Sequence, residues 1–267
     1  MKHIVSYSGG KDSTAMLVRM IEQGMPVDDI VFVNIKAAPD LGAEFPEMYE
    51  YLNKVERYIE RRITVVKSEK SFEEIFHQVY RKGSRTGIIY GYPLTIGAWC
   101  NDRLKLRTLN RYCKKYGKHI HYLGLAADET KRLARLRPNE KAPLAEWGMT
   151  EKDCMVFLEA RGLLNPLYQK FCRLGCFFCV KQPISSLRIV RRDYPELWQR
   201  MLDWDRESPR SFKPGGTVHD YDRRFAKEDA DIRRQPEKQQ EPDRRKDAWQ
   251  KGGCMEGKET FPVDEHI

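Results

Sequence analysis

Apolar positions in this chain recur with two periods, and the switches between them mark its elements. Residues 3–7 form a short strand-like run, after which Ala15, Met16, Leu17, Met20 and Ile21 fall at helical spacing across 13–23. Strand, glycine turn and helix follow in that order. Residues 30–35 are apolar except for Asn34, as in a strand buried on both faces. A helix is expected over 46–62 and a β-branched strand over 63–67. The spacing predicts a further helix over 72–81, a long glycine-punctuated loop over 83–97, a helix over 104–116 and a strand over 119–125. Strands alternating with helices imply right-handed crossovers and a mostly parallel sheet covered on both faces, an α/β fold.

From Pro138 the pattern changes to short helices and loops. Thr150 and Asp153 are spaced as an acidic capping box opening a helix over 150–161. A helix is also expected over 191–205, with Leu197, Met201 and Trp204 as a core stripe. Past position 206 the chain is rich in charge, proline and glutamine, which reads as a flexible tail. The expected organisation is a nucleotide-binding domain over 1–137, a helical and cysteine-bearing region over 138–205, and a charged tail over 206–267.

The formal charge of +9 is unevenly distributed. Residues 220–249 carry nine basic and nine acidic side chains and contribute nothing net, whereas 102–137 hold eleven Lys or Arg against Asp102, Asp128 and Glu129. Such a local excess suits the phosphates of a nucleotide or of a nucleic-acid backbone. Seven cysteines without a secretory signal argue for reduced thiols and a cytoplasmic setting, and no apolar run is long enough to span a membrane.

The chemistry concentrates at Ser8-Gly9-Gly10-Lys11-Asp12-Ser13-Thr14. A strand ending in this run and continuing as a helix gathers backbone N–H groups and the positive end of a helix dipole at one point. Gly9 and Gly10 allow close backbone approach, Lys11 adds a mobile charge, and the hydroxyls of Ser8, Ser13 and Thr14 can donate to phosphate oxygens. Asp12 tolerates phosphate only with a cation between them, which assigns it to Mg²⁺. The spacing is not that of a Walker A loop.

This run resembles the signature of the PP-loop ATP pyrophosphatases, the adenine nucleotide α-hydrolase superfamily. Further segments resemble its phosphoadenosine phosphosulfate (PAPS) reductase family: Asp40-Leu41-Gly42-Ala43-Glu44-Phe45-Pro46-Glu47 after the second strand, Trp99-Cys100 with Arg103 and Lys105, the arginine-bearing loop from Gly124 to Arg135, Asn165-Pro166-Leu167-Tyr168, and Gly175-Cys176-Phe177-Phe178-Cys179. The resemblance implies a Rossmann-like PP-loop domain of HUP type, with a small C-terminal cysteine-containing helical region. It implies nucleotide contacts at residues 8–14 and at Asp40, Gly42, Glu44 and Lys105. Lys11, Asp12, Arg132 and Arg135 would act on the phosphates, neutralising charge as pyrophosphate leaves the α-phosphorus of ATP.

Cys172, Cys176 and Cys179 are close enough in sequence for one metal centre, and the resemblance supplies Cys100 as the fourth ligand. Four thiolates suit either zinc or a 4Fe-4S cluster, and the family resemblance favours the cluster. Cys113 and Cys154 fall inside helices and read as core thiols.

Three functions remain open. The favoured one cleaves ATP in a sulfur-transfer or nucleic-acid-modification reaction, with tRNA or DNA as candidate substrate and a sulfur or electron donor protein as candidate partner. The second reduces PAPS or adenosine phosphosulfate (APS), with Cys254 as candidate nucleophile. The third is a non-catalytic nucleotide-binding zinc protein.

Overall fold

In the computed structural model, which describes residues 1–234, the period-2 runs become the strands of one parallel sheet. The order along the chain begins β1 (Lys2–Tyr7), α1 (Lys11–Glu22), β2 (Asp29–Asn34), α2 (Pro46–Ile59), β3 (Thr64–Lys67) and α3 (Phe72–Phe76). A π-helical turn at Asn101–Leu106 then runs into α4 (Arg107–Cys113) and a 3-10 turn at Lys114–Tyr116. There follow β4 (His119–Leu123), α5 (Thr130–Leu133), β5 (Glu140–Lys141), α6 (Pro143–Glu146), α7 (Glu151–Glu159) and a 3-10 turn at Pro166–Gln169. The chain continues through α8 (Ile184–Asp193), α9 (Pro195–Glu207) and α10 (Val218–Arg234).

The sheet order is β3-β2-β1-β4-β5, and every strand pair is parallel. The order reverses at β1, so the ends of β1 and β4 form the switch point where open α/β sheets hold ligands. Ile4, Val5 and Tyr7 of β1 and Ile30 to Val33 of β2 are buried, as expected of apolar strands in a parallel sheet covered on both faces. The capping box is present: Thr150 Oγ1 accepts from Asp153 N–H, and the Asp153 carboxylate accepts from Thr150 N–H at 2.9 Å. It fixes the start of α7, whose Cys154 and Leu158 are buried.

Two compact units divide the chain. The first comprises Met1–Phe72 and Cys100–Cys176 and contains the whole sheet together with α6 and α7, so the expected boundary near 137 does not coincide with it. The second comprises Glu73–Trp99 and the described residues from Phe177 on. Its core is aromatic: the Trp204 ring packs against Phe177 and Phe178 at centroid distances of 6.1 and 5.5 Å, and its indole N–H donates to Glu73 at 2.8 Å.

Several expectations shift in detail. The helix over 72–81 stops at Phe76, because residues 78–80 pair back across the glycine loop, with Tyr90 N–H donating to Gln78 and Tyr80 N–H to Ile88. The helix over 191–205 is two helices broken at Tyr194, since Pro195 cannot continue α8. Within the expected tail, 218–234 form α10, whose Val218, Tyr221 and Phe225 are buried at helical spacing. Three well-placed apolar residues outweigh a charged composition there. Cys254 lies outside the described residues. Among the described residues no helix is long and apolar enough to cross a membrane.

Replacing Thr150 with Ala should remove the cap and lower stability by about 1 kcal/mol, read as a fall in the denaturant midpoint at unchanged slope. An unchanged midpoint would show that the cap is not what holds the start of α7. The Gly124→Ala substitution should be far more damaging, because the added Cβ would stand 2.7 Å from the Ser13 N and Cα, backbone atoms that no rotamer can move aside. Its melting curve should show a loss of more than about 2 kcal/mol or an unfolded protein.

Candidate functional site

β1 ends at Tyr7 and α1 begins at Lys11, so residues 8–10 make the entire connection. That turn needs a left-handed residue in a crowded place. Gly9 takes φ +72°, and a Cβ on it would stand 2.4 Å from Met48 Sδ. Gly10 is the N-cap of α1, and its carbonyl accepts the first helical bond from Thr14 N–H at 3.0 Å. The amides of the first turn therefore converge on the mouth of the loop.

Other segments of the first unit hold this loop in place. Asn165 Nδ2 donates to Gly9 O at 3.0 Å, while its Oδ1 accepts from Leu167 N–H. The Tyr168 hydroxyl accepts from Lys11 N–H at 3.0 Å, and burial pushes that phenol up to about 12, so it stays neutral. Neither residue is assigned a role by the sequence reading, although both lie in a segment quoted for the resemblance. Asn immediately before Pro is an N-cap signal, and that signal could have singled out Asn165.

The loop hydroxyls do not behave alike. Ser8 is exposed, and its Oγ lies 3.0 Å from Ser13 Oγ. Ser13 is buried and donates to Gly10 O at 3.1 Å. Thr14, expected to touch phosphate, is fully buried: its hydroxyl donates to Gly10 O at 2.9 Å and accepts from Tyr51 at 3.2 Å. It belongs to the core beneath the loop.

Lys11 Nζ donates to both Asp12 oxygens, at 2.9 and 3.0 Å, and to the Glu151 carboxylate. Burial works against its charge, but Asp12 and Glu151 outweigh that and hold it above the usual ammonium range. Burial raises the Asp12 carboxyl, and the Lys11 charge opposes it. Glu129 and Glu151 add to the rise. Glu151 opens α7, where its N–H donates to Asp128 at 3.2 Å. One turn further on, burial pushes the Cys154 thiol well above its ordinary range, and the nearby Asp12 charge adds to the rise. Cys154 and Cys113 are both buried and free, as expected of core thiols.

The segment carrying Asp40, Gly42 and Glu44 is a tight loop, closed by Ala37 N–H to Leu41 O at 2.7 Å and Ala43 N–H to Ile35 O at 2.8 Å. Asp40 is exposed at its tip. Burial raises the Glu44 carboxyl, with the Lys105 ammonium as the opposing charge. Tyr49 donates to Asn34 at 3.1 Å, and Glu44 and Cys176 both bear on it electrostatically. Glu44, Tyr49, Lys105 and Cys176 are thus neighbours. Phe45 stacks on Phe171 at 4.7 Å and Lys170 pairs with Glu47 at 3.1 Å, docking this loop on the segment that clamps the phosphate loop.

Arg132 and Arg135 are exposed on and just after α5. Arg132 pairs with Glu129, the carboxylate that also acts on Asp12. No contact draws either arginine directly onto the loop.

Cys100, Cys176 and Cys179 are half-buried. Cys100, Cys172 and Cys176 belong to the first unit and Cys179 to the second. Among the described residues no three His, Cys, Asp or Glu side chains gather as a metal site. A 4Fe-4S cluster or a zinc ion would take four thiolates, and Cys100, Cys172, Cys176 and Cys179 are the cysteines the sequence offers for it. A single carboxylate at the loop, Asp12, does fit Mg²⁺, which takes one or two carboxylates together with substrate phosphates.

A family model, the phosphoadenosine phosphosulfate reductase domain, matches residues 2–182. Among curated proteins, an uncharacterized protein of Methanocaldococcus jannaschii is 25% identical over 210 residues, covering 74% of this chain and 40% of its own length. A second from that organism is 26% identical over 209 residues, with 74% and 46% covered. An uncharacterized nin region protein of Escherichia phage lambda is 25% identical over 220 residues, with 72% and 70% covered. The chain spans less than half the length of the two Methanocaldococcus jannaschii relatives. Two solved structures show weaker likeness. The PAPS reductase of Candida auris, in a phosphate complex, has TM-score 0.44 at 13% identity, covering 67% of this chain and 83% of its own. The U34-tRNA thiolase NcsA of Methanococcus maripaludis, with its 4Fe-4S cluster, has TM-score 0.42 at 15% identity, covering 85% and 72%. With its sheet, phosphate loop and flanking segments all inside the matched span, the chain belongs to the phosphoadenosine phosphosulfate reductase domain family.

Proposed function

We propose that this protein is an adenine-nucleotide α-hydrolase that cleaves ATP between its α and β phosphates, adenylating an acceptor for sulfur transfer or nucleic-acid modification. The observation that carries this reading is Lys11. Its ammonium stands at the N-terminal end of α1 among carboxylates that keep it charged, beside a glycine turn pinned from Asn165 and Tyr168. A triphosphate brings more negative charge than Glu151 and takes over the Lys11 ammonium from that exposed partner.

In the proposed reaction an acceptor oxygen attacks the α-phosphorus, the bond to the bridging oxygen breaks, and pyrophosphate leaves with the electron pair. Lys11 and the first-turn amides of α1 stabilise the charge developing on the departing oxygens. Asp12 would hold Mg²⁺, which supplies further charge neutralisation when bound. Glu44, Lys105 and Asp40 form the polar wall offered to the nucleoside. The basic stretch 102–137 supports a nucleic-acid acceptor, because its excess charge lies in the same unit as the loop. Reduction of PAPS or APS is the competing outcome, and no step here runs through a cluster.

Pyrophosphate release from ATP should fall by about a hundredfold or more in Lys11→Ala and similarly in Asp12→Asn, with folding unchanged by circular dichroism. Wild-type turnover in Lys11→Ala, or sulfite released from PAPS with no pyrophosphate from ATP, would sink the reading. Glu151→Gln should tighten ATP binding several-fold, because it removes both a competing partner of Lys11 and a negative charge beside the phosphates. Calorimetry checks this, and weaker binding would mean that Glu151 helps to hold the nucleotide.

A further inference from the structure

β4 starts far from the phosphate loop. Its first residue, His119, lies five positions before Gly124, about 16 Å along an extended strand from the contact with Ser13. At that remote end two adjoining hollows open, of 320 and 470 Å³, sharing Gly117, His119 and Asn139 as common walls. The smaller is polar, with Asn110, Lys114, His121 and Arg137 in its lining. The larger is mainly apolar, floored by Ile120 and Pro138 and edged by Lys118 and Lys141. Four cations therefore face one acid, Glu140, whose carboxylate already accepts from Arg137 N–H at 2.9 Å.

His121 makes this more than a basic surface. It is 8% exposed, its ring lines the polar hollow, and its Nε2 has no hydrogen-bond partner. Burial holds the imidazole below its ordinary value, with Glu140 opposing and His119 and Arg137 reinforcing, so the ring is neutral and can donate one N–H. A buried polar atom left unpaired costs about 1–3 kcal/mol, which a bound acceptor would recover. His119, half-exposed at the junction of the two hollows, presents a ring edge-on to His121 at a centroid distance of 6.3 Å. Its Nδ1 is fixed on Gly117 O at 2.8 Å, which steadies the ring as a stacking platform.

We propose that these hollows form a second ligand site that takes one phosphate-bearing nucleoside unit, with the phosphate on Lys114, Arg137 and His121 and the base over His119, Ile120 and Pro138. A phosphate alone would leave the apolar hollow unused, and an uncharged nucleoside would leave the cations unused. The unit is either a free mononucleotide or the terminal nucleotide of a strand. The site does not depend on the reaction proposed for the phosphate loop.

The test is carbon-proton NMR of the full-length protein labelled in its histidine rings, titrated separately with AMP, inorganic phosphate, adenosine and a tetraribonucleotide. Saturable shifts of His119 and His121 are expected with AMP, at concentrations well below those needed for phosphate or adenosine. Tighter binding of the tetraribonucleotide at the same resonances would also support the site and identify a strand end as its source. Lys114→Glu and Arg137→Glu, both on exposed side chains, should each weaken the AMP response about tenfold while leaving pyrophosphate binding at the loop unchanged. No shift at these two histidines would overturn the proposal, as would equal affinity for phosphate and AMP. A response indifferent to both charge reversals would overturn it too.

Discussion

The approach of β4 to the start of α1 is the constraint on which the site depends. Gly124, immediately after β4, lies so close to the Ser13 backbone that no side chain fits between them. The parallel pairing of β1 with β4 sets this distance, because both chains leave the sheet at neighbouring points and α1 must turn back over the strands from there. The three-residue turn at 8–10 is then pinned from its other sides by Met48, Asn165 and Tyr168. A loop held by three separate segments is preorganised, and it need not reorder to meet a phosphate.

The same crowding explains the electrostatics. Lys11 is half-buried, and burial works against its charge; Asp12 and Glu151 outweigh that and keep it charged. The two carboxylates differ in kind. Asp12 is adjacent on α1 and shielded, whereas Glu151 comes from the start of α7 and is about half exposed. The exposed partner is the one a ligand can displace, and surface pairs of this type contribute little to stability. The resting arrangement stores a cation without neutralising it permanently.

Much of this was legible in the sequence. The strands, the parallel sheet and the tight turn at 8–10 follow from apolar periodicity and from a glycine pair between strand and helix, signals local to a dozen residues. The capping box at Thr150 was equally local. What was not legible depends on distant partners. Thr14 reads as a phosphate donor until Tyr7, Tyr51 and the Gly10 carbonyl claim its hydroxyl. Glu151 reads as an ordinary first-turn acid until the fold sets it against Lys11, 140 positions away. The cysteine spacing could indicate only that ligands were near one another in the chain. Nor could composition indicate that α10 would bury three apolar residues in a segment it marks as tail.

Two histidines in the sheet show how a polar core residue is to be judged. His3 of β1 lies beside β4, and its Nδ1 meets the Tyr122 hydroxyl at 2.9 Å, so the fold itself explains its polarity. His121 is paired in register with Glu140 and is more deeply buried, yet its Nε2 meets nothing. A branched aliphatic side chain would fill a buried strand position without that penalty. The difference between the two rings therefore lies in what faces each of them. His3 faces protein, and His121 lines a mainly cationic hollow in which none of the acceptors present reaches its Nε2, so a ligand's acceptor is what its polarity would serve.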